Sequence, residues 1–177
     1  MVGYHPTGVA TIARMALELS LRPGDVFIDI GSGLGKVVLL AHLLTGAEAR
    51  GVEIQSDLVM KARAAAERRR VPVRFTRGDA RVVNLDDGTI FFMYAPFNGP
   101  IMDAVLGRLR AESMRRAITV VTVSLDLARE SAWLTPRAEP KNAGQARLAI
   151  YDSDVPGVSA RVCGRAASNP LAQALCA

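Results

Sequence analysis

The sequence predicts an α/β protein in which a mostly parallel sheet carries helices on both faces. Three observations support this class. Short apolar runs rich in β-branched residues alternate along the chain with longer segments of helical periodicity. The predicted strands are apolar almost throughout, which is typical of strands buried on both faces of a parallel sheet. Two strands near the end follow each other with no helix predicted between them, which indicates an antiparallel pair at one edge.

The first half of the chain predicts three strands and three helices. A helix over 8–20 has near-3.6 spacing of its apolar residues and ends at a Pro-Gly pair. A buried strand over 26–30 leads through a glycine-rich turn into a helix over 36–44. A second strand over 51–54 precedes a helix over 56–70, for which Ser56 is the predicted N-cap. A third strand follows over 73–76.

The second half predicts four more strands and one helix. An apolar strand over 89–94 is followed by a helix over 99–113 and a strand over 118–123. The antiparallel pair is predicted at 132–137 and 146–152, joined by a loop containing Pro, Asn and Gly. We expect Trp133, the only tryptophan, to belong to the core.

Length and composition bound the possible functions. The 177 residues predict one domain over 1–154, followed by a tail over 155–177 that has no assigned structure. Half of the residues are hydrophobic, which is enough for a sizeable core. We expect no membrane span and no signal peptide, and therefore a cytoplasmic protein. Two cysteines and two histidines make a disulfide framework or a zinc enzyme improbable.

The chain carries a net charge of +5, and its basic residues cluster. Arg68, Arg69, Arg70, Arg74, Arg77 and Arg81 form this cluster, named here the Arg68–Arg81 cluster. One interpretation is a binding patch for RNA phosphates or another acidic partner. The other is a solvated helix end, where Arg side chains interact favourably with the helix dipole. The sequence leaves both open.

The glycine-rich turn after the first strand reads Asp29-Ile30-Gly31-Ser32-Gly33-Leu34-Gly35-Lys36. A phosphate-binding P-loop requires Gly where Ile30 stands and a hydroxyl residue where Val37 stands. A dinucleotide loop requires its third Gly where Lys36 stands, so this class is disfavoured although not excluded. The third alternative is S-adenosylmethionine, because closely spaced glycines let the backbone approach a ligand that has no phosphates.

Two further acids follow the next two strands, at the edge of the sheet where ligands of such folds bind. Glu53 ends the second strand, where a carboxylate can accept from both hydroxyls of a ribose. Asp79 follows the third strand and can accept from an adenine amino group, while the N–H of Ala80 can reach a ring nitrogen. The three strand ends together predict an S-adenosylmethionine site.

The residues from Tyr4 to about Tyr151 resemble the class I S-adenosylmethionine-dependent methyltransferases, whose sheet is Rossmann-like and seven-stranded. The Tyr4-His5-Pro6-Thr7 segment and the loop from Asp29 to Lys36 are similar to lysine methyltransferases of the disruptor-of-telomeric-silencing type and their small prokaryotic and mitochondrial relatives. The resemblance implies the product S-adenosylhomocysteine. It implies a set of cofactor-binding residues: Tyr4, Thr7, Asp29, Gly31, Ser32, Gly33, Gly35, Glu53, Ile54, Asp79, Ala80 and Tyr94.

In class I enzymes the residues after the fourth strand line the transfer site, and here they read Tyr94-Ala95-Pro96-Phe97-Asn98. The resemblance implies Tyr94, Pro96 and Phe97 as catalytic residues, with Asn98 a further polar candidate. The segment matches neither the amino-base enzymes nor the histone-directed enzymes, so the acceptor is open. We expect a protein lysine amine. The alternatives are an RNA or small-molecule methyltransferase, a cofactor-binding protein without catalysis, and a nicotinamide oxidoreductase.

Overall fold

The computed structural model describes residues 7–94, 97–127, 131–137 and 148–154. Tyr4, Pro96 and the tail over 155–177 lie outside the described residues. The helices are α1 (Val9–Leu19), α2 (Lys36–Thr45), α3 (Ser56–Arg68) and α4 (Gly99–Ser113). The strands are β1 (Val26–Ile30), β2 (Glu48–Glu53), β3 (Arg74–Arg77), β4 (Ile90–Met93), β5 (Thr119–Val123), β6 (Leu134–Pro136) and β7 (Leu148–Ser153).

The strands form one seven-stranded sheet in the order β3-β2-β1-β4-β5-β7-β6. The first five strands in this order are parallel, whereas β7 runs antiparallel to both β5 and β6. The predicted α/β class and antiparallel end of the sheet are thereby confirmed. β1 and β4 are neighbours although β2 and β3 intervene in the chain, so the strand order reverses at β1, and ligands of open α/β sheets bind at such a point.

Helices cover both faces of the sheet because the side chains of each strand alternate between two buried layers. Residues of α1, α2 and α3 pack with one set of strand side chains, here named layer one. Residues of α4 pack with the other set, layer two. In β1, Phe27 belongs to layer one whereas Ile28 and Ile30 belong to layer two. Phe27 and Phe92 meet in layer one with ring centroids 6.1 Å apart.

The predicted boundaries are confirmed for β1 and α4 and differ elsewhere by one to three residues. β2 begins at Glu48 rather than at residue 51, because parallel pairing with β1 includes Val26 opposite Glu48. Sequence hydropathy misses this extension, since its residues are partly charged. The predicted N-cap Ser56 is wrong: Gln55 caps α3, and α3 ends at Arg68 before Arg70 adopts a φ of 53°.

Among the described residues, no helix has the length and apolar character needed to cross a membrane. Trp133 is half-buried and packs against layer two, as expected of a core residue. The same layer contains Tyr151, which is 1% exposed. Its hydroxyl accepts from the N–H of Leu127 at 3.0 Å and donates to Asp126 Oδ1 at 3.1 Å. Tyr151 thereby ties the segment after β5 to β7.

We expect Tyr151→Phe to destabilise the protein, because it leaves the buried N–H of Leu127 without its acceptor. A buried donor left unsatisfied costs about 1–3 kcal/mol. Chemical denaturation followed by circular dichroism measures the loss. The matched control is Thr135→Val, which removes an exposed hydroxyl that bonds Asp154 and should change stability far less. Equal stability of Tyr151→Phe and the unmodified protein would contradict this account.

Candidate functional site

The glycine loop joins β1 to α2 at the carboxyl edge of the sheet. Gly31, Gly33 and Gly35 have φ values of 85°, 53° and 76°, a region that residues with a Cβ rarely adopt. The N–H groups of Gly31 and Ser32 donate to the carbonyl of Val52 at 2.8 and 3.0 Å. The loop is therefore fastened to β2, and α2 starts directly after Gly35.

Phe75 on β3 lies beneath the glycine loop. A Cβ on Gly35 would come within 2.3 Å of Phe75 Cζ. A Cβ on Gly51, in the middle of β2, would come within 2.6 Å of both Phe75 Cδ1 and Ser32 Oγ. The Phe75 ring is 5% exposed. It fills the space that a Cβ on Gly35 or Gly51 would need, so both positions require glycine. Gly51 and Phe75 were not predicted from the sequence, although a glycine inside a strand indicates such a close approach.

The Ser32 hydroxyl points into this crowded region. The Ser32 side chain is buried, and its Oγ has no hydrogen-bond partner among the described residues. Most buried hydroxyls in proteins have a partner, and those that lack one call for a particular explanation. A buried polar group without a partner, set in a loop of left-handed glycines, is a feature found at ligand-binding sites.

Glu53, at the end of β2, holds the glycine loop from the side. Its Oε2 accepts from the N–H of Gly33 at 3.0 Å, and its Oε1 accepts from the N–H of Gln55 at 2.9 Å. The side chain is 7% exposed. A carboxylate has about four lone-pair sites, so each oxygen retains one for a ligand donor. Ile54, the next residue, is 61% exposed and forms an apolar surface beside Glu53.

Asp29 is buried at the end of β1, on the same face of the sheet as layer one. Burial and, to a smaller extent, the negative charge of Glu53 together raise the pKa of Asp29 from 3.8 to about 8. Near neutral pH the carboxyl therefore keeps its proton. A cationic ligand group placed beside Asp29 would favour the ionised form instead.

Asp79 follows β3, as predicted, but its carboxylate already has a partner. The Arg81 guanidinium contacts both oxygens at 2.6–3.0 Å, and the N–H of Arg81 donates to Oδ1 at 2.8 Å. Hydrogen bonding from Arg81 lowers the pKa of Asp79 to about 2. The sequence analysis missed this pair. Ala80 is half-buried next to Asp79, and its carbonyl accepts a hydrogen bond from Arg108 of α4.

The segment after β4 divides between the two core layers. Tyr94 is half-buried and packs against layer one, on the side of Asp29. Phe97 is half-buried and packs against layer two. The structure thus places these two catalytic candidates against opposite faces of the sheet. Asn98 is the N-cap residue of α4, and its side chain makes no capping bond. Thr7 is buried just before α1, and its contact with the cofactor stays a prediction.

The Arg68–Arg81 cluster is not one patch in the fold. Arg68, Arg69 and Arg70 follow the end of α3, and Arg74 begins β3, so these four lie at the amino edge of the sheet. Arg74 forms an ion pair with Glu48 there. Only Arg77 and Arg81 lie at the carboxyl edge, where the glycine loop is. Among the described residues, no group of three or more His, Cys, Asp or Glu side chains is placed to hold a metal ion.

Comparisons with known proteins agree with this arrangement. Residues 3–74 match the family model "Histone methylation protein DOT1". An RNA methyltransferase from Salinibacter ruber, solved with S-adenosyl-L-homocysteine, has 26% identity and a TM-score of 0.67, and the match covers 89% of this chain and 99% of that one. The chain has the fold of the class I S-adenosylmethionine-dependent methyltransferases.

Two further relatives extend the comparison. Ribosomal protein L11 methyltransferase from Thermus thermophilus is 40% identical over 76 residues, which cover 43% of this chain and 29% of that protein. The match thus spans less than a third of that relative's length. A methyltransferase from Thiobacillus denitrificans, also solved with S-adenosyl-L-homocysteine, has 20% identity and a TM-score of 0.56, covers 78% of this chain and 53% of that one, and shows the fold alone.

The residues present fit S-adenosylmethionine, the cofactor that the sequence resemblance implies. The glycine loop presents left-handed backbone without Cβ atoms, Ser32 Oγ lacks a partner among the described residues, and Glu53 retains lone pairs. These features lie on the loop between β1 and α2 and at the end of β2, beside the point where the strand order reverses. Ligands of open α/β sheets bind at this place.

We expect Gly51→Ala to destabilise the protein, because its Cβ would overlap Ser32 and Phe75. Overpacking of this kind costs about 1–3 kcal/mol. Gly107→Ala is the matched control: a Cβ there meets nothing within 4 Å, and alanine stabilises a helix interior by about 0.5–1 kcal/mol over glycine. Denaturant unfolding of both variants compares them. Two variants of equal stability would contradict the proposed packing beneath the loop.

We expect Asp29→Asn to stabilise the protein in the absence of ligand, increasingly as pH rises. The carboxyl ionises near pH 3.8 when unfolded and near pH 8 when folded, so its contribution to stability is lost as pH rises between these values. Asparagine removes this loss. Melting temperatures measured from about pH 5 to 9 should show a gain that grows up to pH 8, at about 2–4 °C per kcal/mol. Exposed Asp103→Asn is the control, and a gain independent of pH would contradict the assignment.

Proposed function

We propose that the chain is a methyltransferase that uses S-adenosylmethionine to methylate a lysine amine of a protein, and that residues 1–154 form its catalytic unit. The observation that carries the proposal is the conjunction of the glycine loop with Glu53, whose carboxylate holds Gly33 in place and retains lone pairs for a ribose. The names of the matched family and of the Thermus relative both refer to protein methylation.

Each part of the cofactor has a partner in this proposal. Glu53 accepts from the ribose hydroxyls, and Ile54 covers one face of the adenine. Ala80 donates its N–H to the adenine ring, while Asp79 accepts from the amino group in place of one of its contacts with Arg81. Gly31, Ser32, Gly33 and Gly35 form the backbone under the amino acid portion, and Asp29 stabilises its ammonium group. Tyr4, Thr7 and Tyr94 close over the methionine end.

The chemistry requires the chain to align an acceptor rather than to activate the cofactor. When bound, S-adenosylmethionine supplies an electrophilic methyl group on a sulfonium. Tyr94, Pro96 and Phe97 would orient a neutral amine toward the methyl group, with Tyr94 on the layer-one side of the segment and Phe97 on the layer-two side. The nitrogen lone pair forms the new carbon–nitrogen bond, the carbon–sulfur electrons stay on sulfur, and the amine then loses a proton to solvent. A sulfonium close to the amine favours its neutral form.

The alternative function is RNA methylation, which the Salinibacter relative favours by its name and by its coverage. The distribution of the arginines supports the protein acceptor instead. An RNA strand that passes the glycine loop would meet Arg77 and Arg81, and Arg81 is paired with Asp79. The remaining arginines of the cluster lie at the opposite edge of the sheet. The basic charge near the site is thus smaller than the sequence suggests.

Cofactor binding is the first test. We expect calorimetric titration to show one site for S-adenosylhomocysteine, weakened by about 1–3 kcal/mol in Glu53→Gln, the scale for an unpaired polar contact. Glu48→Gln is the matched control, because Glu48 lies on the same strand at the opposite edge and pairs with Arg50 and Arg74. It should bind normally. If the protein binds neither S-adenosylmethionine nor S-adenosylhomocysteine, the proposed function is overturned.

The acceptor is tested by methyl transfer from radiolabelled S-adenosylmethionine to a bacterial extract. We expect the label in protein, released by protease and recovered as methyl-lysine after acid hydrolysis. Tyr94→Phe should lower the rate, by up to about tenfold for the loss of one orienting hydrogen bond of about 1.4 kcal/mol. Label that ribonuclease releases would replace the lysine proposal by RNA methylation. Cofactor binding without any transfer would indicate a binding protein.

A further inference from the structure

One arginine of α4, Arg108, fastens the connection between β3 and β4 to this helix. Arg108, half-buried on α4, donates from Nη1 to the carbonyl of Ala80 at 2.7 Å and from Nη2 to the carbonyl of Val83 at 2.5 Å. The segment between these carbonyls is a tight turn, because Asp79 O accepts from the N–H groups of Val82 and Val83 at 3.0 and 2.9 Å. One guanidinium thus binds both ends of the turn.

This turn is the one that carries the adenine-binding candidates. Its other end is tied to the ribose side of the site, since the N–H of Gly78 donates to the carbonyl of Glu53 at 3.0 Å. α4 itself begins one residue after Asn98, directly behind the predicted acceptor segment. Arg108 therefore links a helix that starts at the acceptor site to the backbone that would contact the adenine.

We propose that Arg108 is a positioning residue for adenine recognition: its guanidinium fixes the Ala80 backbone so that the N–H of Ala80 meets the adenine ring. The proposal rests on the cofactor site proposed above. Arg108 does not touch the cofactor. It acts through two carbonyl groups, and a planar guanidinium with paired donors can bind both, whereas the single ammonium of lysine cannot hold them in the same fixed geometry.

The consequence is base selectivity as well as affinity. In adenine the ring nitrogen beside the amino group is an acceptor and suits the N–H of Ala80. In hypoxanthine the same nitrogen carries a proton, so it opposes that N–H. A fixed turn makes the affinity for the adenine ligand higher than the affinity for the hypoxanthine ligand. A mobile turn reduces this difference in affinity. A residue that only stabilised the fold would weaken both ligands alike.

The experiment titrates the full chain with S-adenosylhomocysteine and with S-inosylhomocysteine, its hypoxanthine counterpart. We expect Arg108→Met to weaken S-adenosylhomocysteine about tenfold, the equivalent of one hydrogen bond. The affinity for S-inosylhomocysteine should change much less, so the preference for adenine falls. Arg108→Lys should behave like Arg108→Met while retaining the charge. Amide hydrogen exchange at Val82 and Val83 should become faster in both variants.

Arg110→Met is the matched control, because Arg110 lies on the same helix and is exposed. It should leave the affinities for both ligands unchanged. The proposal is overturned if Arg108→Met lowers the affinities for both ligands equally or lowers neither. In that case normal binding by the unmodified protein would still support the cofactor site. If Arg108→Met does not fold, Arg108→Lys decides by the same ratio. Failure of the unmodified protein to bind either ligand overturns both the proposed function and this inference.

Discussion

The site depends on the contact between the Phe75 ring and two backbone segments that carry no Cβ. Gly35 ends the glycine loop and Gly51 lies in the middle of β2, and the ring touches both. Burying the aromatic side chain between α3, β2 and the loop contributes the hydrophobic free energy that keeps the loop on the sheet. Arg63 of α3 adds a polar tie, because its guanidinium donates to the carbonyl of Phe75 at 2.6 and 2.9 Å.

This contact gives the glycines two separate roles. Their left-handed φ values let the loop turn tightly from β1 into α2. At Gly35 the missing Cβ also admits Phe75, so the third glycine of the motif is required by packing inside the protein as well as by backbone conformation. The glycine loop thus faces the candidate ligand site on one side and packs against the core on the other. A loop that is held in place by this packing has less conformational entropy to lose when a ligand binds.

The same tight packing buries two carboxyl groups at the carboxyl edge of the sheet. Asp29 and Glu53 are both buried there, and two carboxylates in such a setting are not easily ionised together. Glu53 accepts from two backbone N–H groups, whereas burial raises the pKa of Asp29 to about 8, so that the Asp29 carboxyl keeps its proton at neutral pH. A ligand that is cationic at one end and carries hydroxyls at the other complements this pair.

The sequence predicts the fold well because its signals are local. Alternating apolar strands and amphipathic helices are visible in single segments, and the pairing of β1 with β4 follows from the general topology of such sheets. The glycine loop and Glu53 were found because they stand at strand ends.

Phe75 and Gly51 were missed because their contact joins two strands through side-chain volume, which no periodicity encodes. The Arg68–Arg81 cluster was contiguous in sequence, yet β3 separates its members across the sheet. The role proposed for Arg108 was the least predictable from the sequence. Arg108 lies 28 positions from Ala80 and binds its main-chain carbonyl. Every residue has such a carbonyl, so only the folded structure shows which one the guanidinium contacts.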